Sequence, residues 1–298
     1  MRYKTPTALE MAVKEAARAS ALDTNRAIGN FYYHRLLVRV FSEERPSFVL
    51  KGGLGMLART VDARATRDAD LTTSSLDIDS AVKELRRLAS RELGDFVTFQ
   101  FVGVEPVRAD DEYRDGYKVK FDAFLGARKI QAVSVDLVSD AIPCDDPDWI
   151  TPADRIKVEG LVECDYPVYP VTRGMADKVC GIVETHDGRP SSRVKDLVDL
   201  VVYLVTESFL AAGLRTDLLR ELAIRHLSPF VGFSVPEVWW KSYGRVYGKL
   251  AGQTGLPEGL RTLEAAERLV KSCIDPILGD LQDEAVWDSD GLVWTTPR

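Results

Sequence analysis

The chain has 298 residues, room for one large domain or two ordinary ones, each able to bury its own core. Hydrophobic residues make up 45% and charged residues 29%, a globular composition that argues against long disorder. The formal net charge of −7 excludes a protein that grips nucleic acid by bulk charge, so any basic patch must be local.

From the N-terminus, MRYKTPTALEMAVKEAARAS carries acids and no compact apolar stretch, which does not fit a signal peptide and predicts a cytoplasmic protein. Residues 7–21 and 23–41 read as helices; in the second, Asp23 is a candidate N-cap, and Ile28, Phe31, Tyr32, Leu36, Leu37 and Val40 form an apolar stripe with His34 among them as a structural residue. A short strand over 47–50, a Gly52–Gly53 turn and a brief helix over 54–60 follow. Residues 68–72 (DADLT) alternate acidic and apolar as a strand does. Residues 77–93 read as an amphipathic helix that Asp77 caps and Asp79 supports, and β-rich stretches cover 96–104, 117–125 and 129–138.

The proline-rich segment 142–170 is the expected boundary, giving domains at 1–171 and 172–298. Beyond it the pattern turns helical, over 172–185, 194–207, 216–226, 236–252 and 257–281. The longest apolar run, Leu200–Val205, is far short of the roughly 20 residues that span a bilayer, so no membrane helix is expected. Trp239, Trp240, Tyr243 and Tyr247 fall at helical spacing, a pattern of core rather than of base stacking. Cys144, Cys164, Cys180 and Cys273 are widely spaced and read as reduced thiols. With so few histidines and no paired cysteines, metal chemistry would need oxygen ligands.

Chemistry concentrates in Leu50-Lys-Gly-Gly-Leu-Gly, running on to Arg64-Ala-Thr-Arg-Asp-Ala-Asp-Leu. Positions i and i+2 of a strand share a face, so Asp68 and Asp70 point the same way, and Asp136 in VSVDLV adds a third strand acid. Such acids repel one another unless a cation offsets them; Mg²⁺ (or Mn²⁺) takes carboxylate oxygens together with phosphate and water. Gly52 and Gly53 allow backbone N–H groups to approach a triphosphate at the start of the next helix. Three strand acids beside a glycine turn therefore point to metal-assisted phosphoryl or nucleotidyl transfer.

At these residues the sequence resembles the DNA polymerase β-type nucleotidyltransferase superfamily, through the GG turn, the R-x-T-x-D-x-D run (Arg64, Thr66, Asp68, Asp70) and the later strand acid. Within it, the chain is similar to the AbiEii/AbiGii group of toxin nucleotidyltransferases, which includes the mycobacterial MenT toxins. That likeness also rests on Lys178 in Met-Ala-Asp-Lys-Val and on Arg193-Val-Lys-Asp196-Leu-Val-Asp199-Leu, and spans about residues 47–205. It implies an α+β fold: a polymerase β-type sheet with flanking helices, then a helical C-terminal half. It implies that Asp68, Asp70 and Asp136 hold metal, with Asp136 activating the acceptor hydroxyl, and that Gly52, Gly53, Arg64, Thr66 and Arg193 serve the nucleotide. Lys178 would pair with the triphosphate, and Asp196 would orient Lys178 or a metal-bound water. It further implies an NTP substrate, an RNA acceptor at the tRNA 3′ end, a block of translation and a cognate antitoxin.

Two other readings stay open. The same acids would serve NMPylation or phosphorylation of a protein hydroxyl, and a non-catalytic regulatory module would be marked by loss of Asp68, Asp70 or Lys178, all of which are present. Basic residues near these motifs (Arg59, Arg64, Arg67, Arg86, Arg87, Arg91, Arg189, Arg193, Lys195) read either as solvated faces or as a local track for RNA phosphates.

Overall fold

The computed structural model describes residues 3–66, 68–106, 115–140 and 143–296. The chain divides into two compact units, one running to Val61 and resuming at Ala65–Tyr169, the other made of Asp62–Arg64 and the chain from Pro170 onward. The α+β class read from the sequence is the class observed, with a central mixed sheet.

In the first unit, α1 (Pro6–Ala19) starts where the Thr5 side chain accepts from the Ala8 N–H, with proline at the first helical position, where a missing N–H costs nothing. Asp23 caps α2 (Thr24–Phe41) by accepting from the Arg26 N–H. The amphipathic expectation fails for α2, because Asn30 through Phe41 is buried on every side, Arg35 and Arg39 included. Asp95 compensates both guanidinium groups, at 2.6 Å from Arg35 Nε and 2.7 Å from Arg39 Nη2. Burial works against the Asp95 charge, but Arg39 and Arg35 outweigh it and hold the carboxyl below its ordinary range. His34 is structural as expected: its Nε2 lies 3.1 Å from Asp154 and its Nδ1 3.1 Å from the Tyr166 hydroxyl.

The remaining elements of this unit are β1 (Val49–Lys51), α3 (Gly52–Arg59), β2 (Asp68–Thr73), α4 (Ile78–Ala89), β3 (Val97–Pro106), β4 (Asp115–Leu125), β5 (Arg128–Ser139), β6 (Asp148–Ile150) and β7 (Tyr166–Val168). They form one sheet in the order β3-β4-β5-β2-β1-β7-β6. Pairing is parallel for β5–β2 and β1–β7 and antiparallel elsewhere. The proline-rich segment thus supplies two strands to the main sheet rather than only a connection. One sheet face carries Ala69, Leu71, Val119, Phe121, Val133, Val135 and Leu137, all buried, and α2 and α4 pack on it. Asp77 caps α4, whose Ala81, Val82, Leu85 and Leu88 make the matching stripe. Each fully buried leucine there is worth about 1.5–3 kcal/mol. Period 2 then dictates the rest: the alternate residues of β2, β4 and β5 face the other way, among them Asp68, Asp70, Lys118, Lys120, Asp122, Ser134 and Asp136.

The second unit contains α5 (Val171–Val183), β8 (Thr185–His186), β9 (Arg189–Pro190), α6 (Val194–Thr206), β10 (Phe209–Leu210), α7 (Ala211–Ile224), α8 (Glu237–Ser242), α9 (Gly244–Ala251), a 3-10 turn at Glu258–Leu260, α10 (Leu263–Leu278), β11 (Val286–Asp288) and β12 (Val293–Thr295). The apolar α6 is its centre, packed by α5, α9 and α10. Three expectations need correction. The helix expected over 236–252 breaks at Tyr243, before the poor helix former Gly244, while Trp239 is pinned by its indole N–H donating to Ser191 O at 2.6 Å. Trp239 and Tyr247 are fully buried, whereas Trp240 is 41% exposed. The helix expected over 257–281 starts only at Leu263, where Thr262 caps it. Finally, the C-terminal part is not wholly helical: β10, β11 and β12 form a small antiparallel sheet. It is held by the Trp287 and Trp294 indoles, which donate to Leu204 O and Cys273 O. Strands of two or three residues are too short to show alternation in a sequence.

No helix among the described residues is long and apolar enough to cross a membrane. All four cysteines are free.

Candidate active site

The polar face of the main sheet carries a lateral row of charges. The parallel β2–β5 register sets Asp70 beside Asp136, the β1–β2 register sets Lys51 beside Asp70, and the β4–β5 register sets Lys118 beside Asp136. Asp68, two residues before Asp70, lies on the same face beside Ser134. The structure therefore brings the three predicted acids onto one face of adjoining strands. It adds a residue that the sequence reading passed over: Lys118 Nζ lies 2.7 Å from Asp136 Oδ1 and 3.3 Å from Asp68 Oδ1. Burial would lower the Lys118 pKa, but Asp136 first and then Asp68 outweigh it, so the ammonium is held above its ordinary range. The signal was present in the sequence as Lys118, Lys120 and Asp122 at period 2, a polar face that continues the row.

Gly52 and Gly53 do not make a separate turn. They are the first residues of α3, and Gly52 takes φ +63°, which lets the chain change from strand to helix within a single residue. A methyl group at Gly52 would stand 2.0 Å from Asp70 Oδ2, so the missing side chain is where the Asp70 carboxylate lies. At Gly53 a methyl would meet the Thr66 side chain at 2.8 Å. The α3 start has no side-chain cap, which leaves first-turn N–H groups of this glycine-rich helix to another acceptor. Gly52, Gly53, Thr66, Asp68, Asp70 and Asp136 are thus gathered within the first unit.

A second cluster lies within the other unit. Lys178, on α5 and nearly buried, reaches Asp199 Oδ2 at 2.8 Å and Asp196 Oδ1 at 3.3 Å, both on α6. Arg64 takes Asp199 in a two-point grip at 2.9 and 3.1 Å, and Arg193 binds Asp196 at 2.7 Å. Lys178, Arg64 and Arg193 are thus interleaved with the carboxylates of Asp196 and Asp199. Burial opposes the Lys178 charge, but Asp199 and then Asp196 overcome it and keep the ammonium well above the usual lysine range. Asp199, 1% exposed, is the residue the motif reading undervalued: it holds both Lys178 and Arg64. Asp196 also contacts Lys178, as the more distant of the two partners. Arg193 lies against Gly181 of α5, where a methyl would meet its guanidinium at 2.8 Å.

Of the other basic residues, Arg59 donates to Asp148 and to Tyr169 O, Arg87 to Glu84 and Glu43, and Arg86 stacks 4.0 Å above the Phe101 ring. Arg189 and Lys195 are exposed. Arg67 lies outside the described residues.

The donor set suits a hard divalent cation, since its ligands would be carboxylate oxygens from registered strands. Among the described residues, no group of three or more acidic, histidine or cysteine side chains is arranged as it stands to hold a metal ion. Instead, the Lys118 ammonium bridges Asp136 and Asp68.

Comparison with known proteins adds an independent line. The sequence matches the family described as "Nucleotidyl transferase AbiEii toxin, Type IV TA system" over residues 35–289. Among solved structures, the fold is similar to MenT4, a nucleotidyltransferase toxin of Mycobacterium tuberculosis H37Rv, with TM-score 0.56 and 16% identity over 94% of this chain and 91% of that one. JHP933 of Helicobacter pylori matches with TM-score 0.40 and 14% identity over 91% and 88% of the two chains. No curated protein sequence matches.

Proposed function

The chain belongs to the AbiEii family of nucleotidyltransferase toxins of type IV toxin–antitoxin systems, and from that membership we propose that it moves a nucleoside monophosphate from an NTP to the 3′ hydroxyl of an RNA, the tRNA acceptor end, blocking translation in the cytoplasm until a cognate antitoxin restrains it. The observation that carries the reading is the registered Asp70–Asp136 pair on the sheet face, with Asp70 seated against the glycine start of α3.

In the transfer, the acceptor oxygen bonds to the α-phosphorus, the bond from that phosphorus to the bridging oxygen breaks, and pyrophosphate leaves with the electron pair. Asp136 takes the hydroxyl proton. The uncapped N–H groups at Gly52 and Gly53 receive phosphate oxygens, and Thr66, packed against Gly53, shapes that approach. A divalent ion, Mg²⁺ or Mn²⁺, held by Asp68, Asp70 and Asp136 would supply neutralisation of the transferring phosphate and acidify the attacking hydroxyl. Within the second unit, Asp199 and Asp196 keep Lys178 cationic, the state its role as phosphate counter-charge requires, and Arg193 and Arg64 hold those two carboxylates.

Purified protein incubated with each α-labelled NTP and either total RNA or total protein tests the reading. Label in the tRNA band is the expected result; label in the protein fraction alone would replace the RNA acceptor with a protein hydroxyl. Asp68→Asn and Asp70→Asn should each lose more than the roughly 100-fold that removal of a mere supporting partner costs, and activity near wild type in either would remove the metal assignment.

A further inference from the structure

We propose that Lys118 is a built-in counter-ion of the acid row: its ammonium occupies the cation position between Asp136 and Asp68 and moves out when a divalent ion binds. The proposal rests on the reading above that these acids hold the ion.

Burial of Val119 and Phe121 on the apolar face forces Lys118 and Lys120 onto the acid face, and the antiparallel β4–β5 register places Lys118 beside Asp136 rather than one pair along. The contacts follow, at 2.7 Å to Asp136 and 3.3 Å to Asp68. Lys120 is engaged otherwise, by Glu105 at 2.5 Å. Carboxylates on neighbouring strands repel across a short distance, and a cation between them removes that cost before any metal arrives. The residue type suits a temporary role. Lysine is a point charge on a flexible stem, whereas an arginine fork would grip the carboxylates in a fixed plane. The Lys118 side chain is 31% exposed, so the ammonium has solvent to move into. Since no acidic group among the described residues is preassembled for a metal, an incoming ion must draw these carboxylates off the ammonium.

One consequence concerns order of binding. Without nucleotide, a divalent ion competes with a tethered ammonium and binds weakly. Brought in as a metal–NTP complex, it arrives with phosphate oxygens that can receive the displaced ammonium. Ion and nucleotide therefore bind with positive coupling, and Lys118 acts as a positioning residue for the pair.

Mn²⁺ binding to the full chain without nucleotide, followed by electron paramagnetic resonance, tests this. Lys118→Met should bind Mn²⁺ about tenfold more tightly than wild type; equal or weaker binding by the folded variant overturns the proposal. Asp136→Asn in the same assay separates the two claims. If it loses Mn²⁺ while Lys118→Met changes nothing, the acid site stands and the counter-ion role falls. If it binds like wild type, the acid site itself falls. Because Lys118→Met leaves two acids uncompensated, a measurement on the unaltered protein stands beside it. Acetic anhydride should label Lys118 severalfold faster, relative to Lys120, at saturating Mn²⁺ than in chelator, and an unchanged ratio overturns the proposal.

Discussion

Asp199 shows how much a single carboxylate decides. It sits one helical turn after Asp196, so both acids face Lys178 from α6, yet Asp199 is the more buried and the closer, and it also takes Arg64. Removing its charge takes one carboxylate from both Lys178 and Arg64, and breaking a buried ion pair costs about 3–5 kcal/mol. Asp199→Asn should therefore lower the unfolding free energy from urea titration by that order and reduce nucleotidyl transfer, whereas Lys195→Ala, which removes an exposed side chain two residues after Arg193, should leave stability unchanged within about 0.5 kcal/mol. Asp95 gives the pH counterpart. Its folded pKa lies below the unfolded value of about 3.9. The stability it contributes is thus complete above that value and is lost as pH falls through the folded one. Thermal unfolding followed from pH 6 downward should weaken at the acid end, and Asp95→Asn should weaken the protein at neutral pH while flattening that acid decline.

Among the elements, α3 and α2 show what sequence patterns reveal and what they hide. A strand, two glycines and a short helix were legible because glycine marks a change of backbone direction. That Gly52 is the helix start itself, and that the Asp70 carboxylate lies where its Cβ would be, depends on the β1–β2 pairing. Gly52→Ala combines a positive φ, which costs an L-residue about 1–2 kcal/mol, with a clash against a site acid. It should abolish transfer with little change in circular dichroism, and Gly53→Ala, whose nearest neighbour is the Thr66 side chain rather than a site acid, should be the milder variant in the same assay. For α2 the apolar stripe was visible but its burial on every side was not. The reason is the chain from 152 into the start of β7, which covers the second side: Arg35 donates to Val162 O, and the Tyr166 hydroxyl donates to His34 O. No periodicity within a helix records which loop will cover it.

Over the whole molecule, charge and architecture bear on the partner. A net charge of −7 and a sheet face rich in carboxylates offer RNA phosphates little bulk attraction. Several candidate track residues are engaged within the protein, Arg59 by Asp148, Arg87 by Glu84 and Glu43, and Arg64 by Asp199. We expect RNA that lacks an acceptor end to bind more weakly than about 100 µM at about 0.15 M salt; filter binding in the low micromolar range would reveal a concentrated basic face instead.

Periodicity, turn residues and acid spacing are local, and they were enough to specify most helices, the main strands and the acids on β2 and β5. The family likeness was legible for the same reason, since its motifs are short and contiguous. Pairings between residues far apart in the chain were decided elsewhere. Asp70, Lys118 and Asp136 come together only because burying one face of β2, β4 and β5 permits a single lateral register, and Lys178 chooses between Asp196 and Asp199 only through the packing of α5 on α6. That register is what turns three spaced acids into a row with a lysine in it.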